Sequence, residues 1–61
     1  MVNILTTKEL SIATDLLYYE QQAIKKAKLY SKTLTDPTLS NKFKQLAKSH
    51  EERFKAIYNL F

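Results

Sequence analysis

Residues 33–37 read Thr-Leu-Thr-Asp-Pro and contain the only proline of a 61-residue chain that has no glycine. The residue before a proline is disfavoured in the α region, whereas proline itself suits the first position of a helix. Asp36 can cap that helix, because its carboxylate accepts backbone N–H groups and its charge favours the positive helix end. The segment therefore predicts a single break with a helix on each side.

Helix 1 is expected over about residues 7–33. Thr6 is a good N-cap, and Glu9 three residues later completes a capping box, in which each side chain accepts a backbone N–H of the other residue. One stripe of helical spacing then contains Leu10, Ala13, Leu17, Glu20, Ile24, Ala27, Ser31 and Leu34. A neighbouring row contains Ile12, Leu16, Tyr19, Ala23 and Tyr30. This apolar face is too wide for one partner helix.

Helix 2 is expected over about residues 37–60. Alternating spacings of four and three connect Leu39, Phe43, Leu46, His50, Arg53, Ile57 and Leu60, and this row is widened by Ala47, Phe54 and Phe61. On another face, Glu51 and Lys55 form an i, i+4 pair. The short connection forces the helices to be antiparallel neighbours. The sequence predicts an all-α fold with one domain over residues 1–61, an antiparallel helical hairpin.

Small size predicts association. A core of 61 residues supplies no more than about 3–5 kcal/mol by itself. Without cysteine the chain can form neither a disulfide nor a thiolate zinc site. Pairing two hairpins into a four-helix bundle would cover their broad apolar faces, so we expect a homodimer with an isologous interface. Polar residues interrupt every apolar run, which predicts no membrane span, and the N-terminus does not resemble a signal peptide. We expect a cytoplasmic or spore compartment.

The net charge of +4 is unevenly distributed. Most lysines lie in the middle of the sequence, so the bend of the hairpin should be basic, and Lys25, Lys26, Lys42 and Lys44 are candidates for contact with a polyanion. The preferred interpretation is a solvated surface that aids solubility. Nucleic acid is not the expected partner.

An interior polar group is the main functional clue. A hairpin that pivots near residues 35 and 36 places Glu20 level with His50, and Arg53 lies one turn further along. Ferritin-like bundles hold iron or manganese with Glu and Glu-x-x-His motifs on facing helices. Here His50 and Arg53 stand where the Glu and His of that motif would be, and arginine is not a ligand.

Two interpretations of this group stay open. The preferred one is a buried polar network of Glu20, His50 and Arg53 that specifies register and dimer geometry. The alternative is an iron, manganese or zinc ion held by Glu20 and His50 across a dimer. No residues suggest a catalytic triad, and a phosphate-binding loop cannot form without glycine, so we expect no enzymatic activity and no required cofactor.

Four segments of the chain resemble a known family. They are Leu5-Thr6-Thr7-Lys8-Glu9-Leu10-Ser11, Glu20-Gln21-Gln22 followed by Lys25-Lys26, the Thr35-Asp36-Pro37 turn, and Phe43-Lys44-Gln45-Leu46-Ala47 with His50 and Phe54. Together they are similar to the short spore coat protein F-like proteins of spore-forming Firmicutes. The resemblance implies a ferritin-like helical hairpin that assembles into a bundle. It also implies a structural role in the spore coat, with other coat proteins as partners, and no established enzymatic activity.

Overall fold

The computed structural model describes residues 5–61, which form two α-helices and no strand within that range. Helix α1 spans Thr7–Thr33 and helix α2 spans Pro37–Tyr58. The all-helical fold predicted from the sequence is confirmed. Helix α2 ends two residues before the expected boundary, and residues 59 and 60 continue as a turn.

Both helix starts use the predicted caps. At α1, the hydroxyl of Thr6 accepts a hydrogen bond from the backbone N–H of Glu9 at 3.1 Å. The Glu9 carboxylate accepts in return from the backbone N–H of Thr6 at 3.0 Å, which completes the capping box. At α2, the carboxylate of Asp36 accepts from the backbone N–H of Leu39 at 3.0 Å, and Pro37 is the first helical residue. Each start therefore satisfies exposed N–H groups at the helix end.

The bend between the helices needs no left-handed residue. Leu34 and Asp36 both have extended backbone, with ψ angles of 133° and 119°. No residue in the described part of the chain has a positive φ. Across the bend, the hydroxyl of Ser40 donates to the carbonyl oxygen of Ser31 at 2.5 Å. This geometry explains how the chain reverses direction without glycine.

The two helices pack side by side in opposite directions. Residues near the bend pair with each other, as Tyr30 and Phe43 do through an edge-on contact of 5.5 Å between ring centroids. Further from the bend, Glu20 contacts both His50 and Arg53. The resulting hairpin is long and flat, with dimensions of 46 × 17 × 10 Å.

The interface between the helices contains only small or polar buried residues. Among the described residues, the buried apolar side chains are Ala13, Ala27 and Ala47, and the buried polar ones are Glu20 and His50. No large side chain in this range is fully buried. The alanines allow the helix backbones to approach closely, but they remove little apolar surface from water. An isolated hairpin therefore lacks a conventional hydrophobic core.

The apolar row that begins at Leu39 divides between two surfaces. Leu39, Leu46 and Leu60 of that row are 48%, 43% and 43% exposed. The positions that face α1 are Ser40, Phe43, Ala47, His50, Phe54 and Ile57, all buried or half-buried. Ala47 is small enough to sit against α1, so the helix is turned toward it and the neighbouring leucines point outward.

Candidate functional site

The Glu20–His50–Arg53 layer lies halfway along the hairpin. Glu20 is the central residue of α1, which spans Thr7–Thr33, and it belongs to the stripe that also buries Ala13 and Ala27. His50 and Arg53 lie three residues apart on α2, so their side chains project from the same side of the helix about one turn apart. The structure therefore brings together the three residues that the sequence grouped.

The carboxylate of Glu20 uses both oxygens within the layer. Its Oε1 is hydrogen-bonded to Nδ1 of His50, and its Oε2 accepts from Nε of Arg53 at 3.2 Å. The side chains of Glu20 and His50 are 7% and 11% exposed, whereas that of Arg53 is 52% exposed. The layer thus consists of a buried Glu20–His50 pair and the partly exposed guanidinium of Arg53.

The position of the proton follows from the contacts of His50. Its Nδ1 lies against Glu20 and also 2.8 Å from Nη2 of Arg53. A ring nitrogen cannot donate to the carboxylate and accept from the guanidinium at the same time, and arginine only donates. Glu20 has a lowered pKa and is therefore ionised at neutral pH. We accordingly assign the Nδ1 proton to His50, which donates it to Glu20, while Arg53 bonds to the carboxylate through Nε.

Opposing effects act on the pKa of Glu20. Burial of the carboxylate is the largest and would raise the pKa. The hydrogen bonds from His50 and Arg53, together with the charges of those residues, outweigh burial and leave the pKa below its ordinary value. The layer therefore stabilises the carboxylate in its charged form, with Arg53 as the balancing cation.

The layer does not fit a ferritin-type metal site. Both oxygens of Glu20 are already hydrogen-bonded, one of them to the ring nitrogen that would be its fellow ligand. The third group is a guanidinium, which repels cations. No group of three or more His, Asp or Glu residues that could hold a metal occurs among the described residues. An iron, manganese or zinc ion could use only the other ring nitrogen of His50, Nε2, without dismantling the layer.

Two contacts beside the layer were not expected from the sequence. Tyr19 packs edge-on against the ring of His50, with centroids 6.4 Å apart. Glu51 pairs with Lys28 of the other helix at 3.5 Å, and not with Lys55 as its spacing had suggested. The antiparallel register could have indicated the first contact, since residue 19 lies near the level of residue 50. Residue 28 lies nearer the bend than the level of residue 51, so the pair with Glu51 depends on the reach of the long Lys28 side chain.

An exposed apolar surface flanks the layer on one side of the hairpin. We call it the Ile12 face, and it comprises Ile12, Leu16, Tyr19, Tyr30, Leu39, Leu46 and Leu60. These side chains are 43–61% exposed. At the open end, Ile12 and Leu16 of α1 line a groove of about 260 Å³ with Ile57 of α2 and Leu60 of the turn that follows it. The face thus combines residues from both helices.

The candidate polyanion-binding lysines are all exposed. Lys25 and Lys26 follow one another on α1, while Lys42 and Lys44 lie on α2. Consecutive helical positions point about 100° apart, so Lys25 and Lys26 face different directions. The structure places all four in the half of the hairpin next to the bend, but spreads them around it.

Comparison with known proteins found no match to a protein-family model, to a curated protein or to a solved structure. Neither helix in the described part of the chain is long and apolar enough to cross a membrane.

Proposed function

We propose that this protein is a structural or interaction protein without catalytic activity, and that it works as a homodimeric four-helix bundle. The observation that carries the proposal is the Ile12 face. It holds seven large apolar side chains that remain about half exposed in the single hairpin. Soluble monomers seldom leave such a continuous apolar surface uncovered.

The exposed area supports association of two copies. The chain exposes 5038 Å² of surface. A compact protein of 7.1 kDa exposes about 4,100 Å². The excess of roughly 900 Å² reflects the elongated shape of 46 × 17 × 10 Å, which side-by-side association of two copies would make more compact. Covering the Ile12 face would also supply the large buried side chains that the hairpin lacks.

The solution mass tests this proposal. We expect twice the 7.1 kDa of one chain at micromolar concentration. Replacing Leu16 and Leu46 by lysine should give a monomer or an unfolded chain, because both side chains belong to the Ile12 face. Leu29→Lys is the matched control, since Leu29 is 59% exposed outside that face and should leave the dimer intact. A monodisperse monomer of the unaltered chain would contradict the proposal.

The proposed setting is the spore coat or the cytoplasm of a sporulating cell, with other coat proteins as further partners. Its support is the resemblance of four segments to spore coat F-like proteins, together with the two-helix hairpin that this resemblance implies. A tagged copy followed through sporulation tests this setting. We expect the tag in the coat fraction of purified spores. Its complete absence from spores would contradict the spore coat location.

Metal binding is the competing function, and elemental analysis separates the two. We expect no stoichiometric iron, manganese or zinc in purified protein, because hydrogen bonds within the layer occupy both oxygens of Glu20. Stoichiometric metal that disappears in His50→Ala but remains in Lys28→Ala would favour the ferritin-like alternative. Lys28 is a suitable control because its ion pair with Glu51 lies at the surface.

A further inference from the structure

The two halves of the hairpin carry charges of opposite sign. The half next to the bend, residues 21–48, has seven lysines and one aspartate, a formal charge of +6. The open half consists of residues 5–20 and 49–61, with three basic and five acidic residues, a formal charge of −2. The hairpin is therefore a rod of 46 Å with a basic end and a weakly acidic end.

An isologous dimer through the Ile12 face can place these ends in two ways. If both bends lie at the same end, the two +6 halves are neighbours and repel one another. If the bends lie at opposite ends, each basic half runs along the acidic half of the partner. Screening reduces each individual contact, but the difference between the two arrangements has the same sign at every separation.

The central layer does not distinguish between the two arrangements. Glu20 is the middle residue of α1, so a two-fold dimer that overlaps along its full length brings the layer against its own copy. Arg53 is spaced by seven residues from both Leu46 and Leu60, which places its half-exposed guanidinium on the Ile12 face. Each layer contains one carboxylate and one guanidinium in contact, and both arrangements bring the same two layers together. The charged ends then decide the orientation.

We propose that a second copy of this chain covers the Ile12 face head to tail, with the two bends at opposite ends of the bundle and the two Glu20–His50–Arg53 layers meeting at the two-fold axis. This inference rests on the proposed dimer. It adds the orientation of the partner and assigns the layer to the centre of the interface.

Distance measurement between spin labels tests the orientation. The chain has no cysteine, so a single introduced cysteine is labelled uniquely. Thr35→Cys labels the bend, and the head-to-tail dimer should separate the two labels by a distance close to the 46 Å length of the hairpin. Ser49→Cys labels an exposed position at mid-length and should give a much shorter distance in any full-length two-fold dimer.

The measured distances distinguish a wrong orientation from the absence of the proposed dimer. A long distance at Thr35 with a short one at Ser49 supports the head-to-tail arrangement. A dimer with short distances at both positions overturns the orientation and leaves the dimer standing. A monomeric mass with no dipolar signal at either position overturns both.

Discussion

Glu20 and His50 lie 30 positions apart in the sequence and meet side chain to side chain in the interior of the hairpin. Every buried side-chain nitrogen and oxygen among the described residues has a hydrogen-bond partner, so this polar interior is fully satisfied. Sliding α2 along α1 by one turn in either direction would separate the pair and leave the buried imidazole of His50 without its carboxylate acceptor. The contact therefore selects one register from the several that an alanine-lined interface would accept.

Removing the Glu20 carboxylate should destabilise the protein. We expect Glu20→Ala to lower the free energy of unfolding by about 1–3 kcal/mol, because His50 loses its buried acceptor. The loss should be below the roughly 3–5 kcal/mol of a fully buried ion pair, since Arg53 is half exposed and can turn to water. Urea denaturation at fixed protein concentration measures the effect.

Glu51→Ala is the matched control for that experiment. Glu51 also pairs across the helices, but its side chain and that of Lys28 are 42% and 56% exposed. Its removal should change stability by less than about 1 kcal/mol. Equal losses in the free energy of unfolding for the two substitutions would show that the buried Glu20 contacts contribute no more to stability than the exposed Glu51 pair.

The layer should also make stability depend on pH. Because the pKa of Glu20 is lowered in the folded state, its contribution is present at neutral pH. That contribution disappears as the pH falls through the lowered pKa, where the carboxylate is protonated. Glu20→Gln mimics the protonated form. Thermal melts should therefore give the wild type a higher melting temperature than Glu20→Gln at pH 7, and the two melting temperatures should converge in acid. A difference in melting temperature that stays constant with pH would disprove the role of Glu20 ionisation.

The helix starts were predictable because their determinants are local. Thr6 and Glu9 form the capping box within four residues, and Asp36 caps the helix that Pro37 begins. The pairing of Glu20 with His50 was also accessible, since a symmetric hairpin fixes which positions are level. These features require only the helical repeat and one short bend.

The orientation of α2 could not be predicted in the same way. Apolar residues occupy more than half of its circumference, and periodicity alone does not show which part faces α1. The choice is made by Ala47, whose size permits close approach, while Leu39 and Leu46 remain outside. The partner of Glu51 was misassigned for a related reason: its i, i+4 neighbour Lys55 competes with Lys28, which only the packed hairpin brings near.

The capping box at α1 should contribute measurably to the stability of the first turn. Thr6→Ala removes the hydroxyl that accepts from the N–H of Glu9, with an expected cost of about 1 kcal/mol. Thr7→Ala, at the next position, is the control and should have little effect, because Thr7 already lies within the helix. Amide hydrogen exchange should show faster exchange in the first turn of the Thr6 variant alone. Equal exchange in both variants would refute the role of the cap.

The basic half of the hairpin should bind polyanions only weakly. Lys25, Lys26, Lys42 and Lys44 are exposed but point in different directions, so few of them can reach one linear polyanion together. We expect elution from immobilised heparin below about 0.3 M salt, where screening is already strong. Retention beyond that salt concentration, lost when the four lysines are replaced by glutamine, would establish a polyanion-binding surface.

The size of Ala47 should determine how closely the helices pack. This side chain is 3% exposed between the helices, so Ala47→Leu forces a larger group into a position without free space. The expected loss is about 1–3 kcal/mol in the free energy of unfolding. Ala56→Leu is the control, because Ala56 is exposed on the same helix and leucine is nearly as good a helix former as alanine. Urea denaturation of both variants gives the comparison. A stable Ala47→Leu variant would mean that the helices can separate without cost, and the close contact around Glu20 and His50 would then not be the feature that holds the hairpin together.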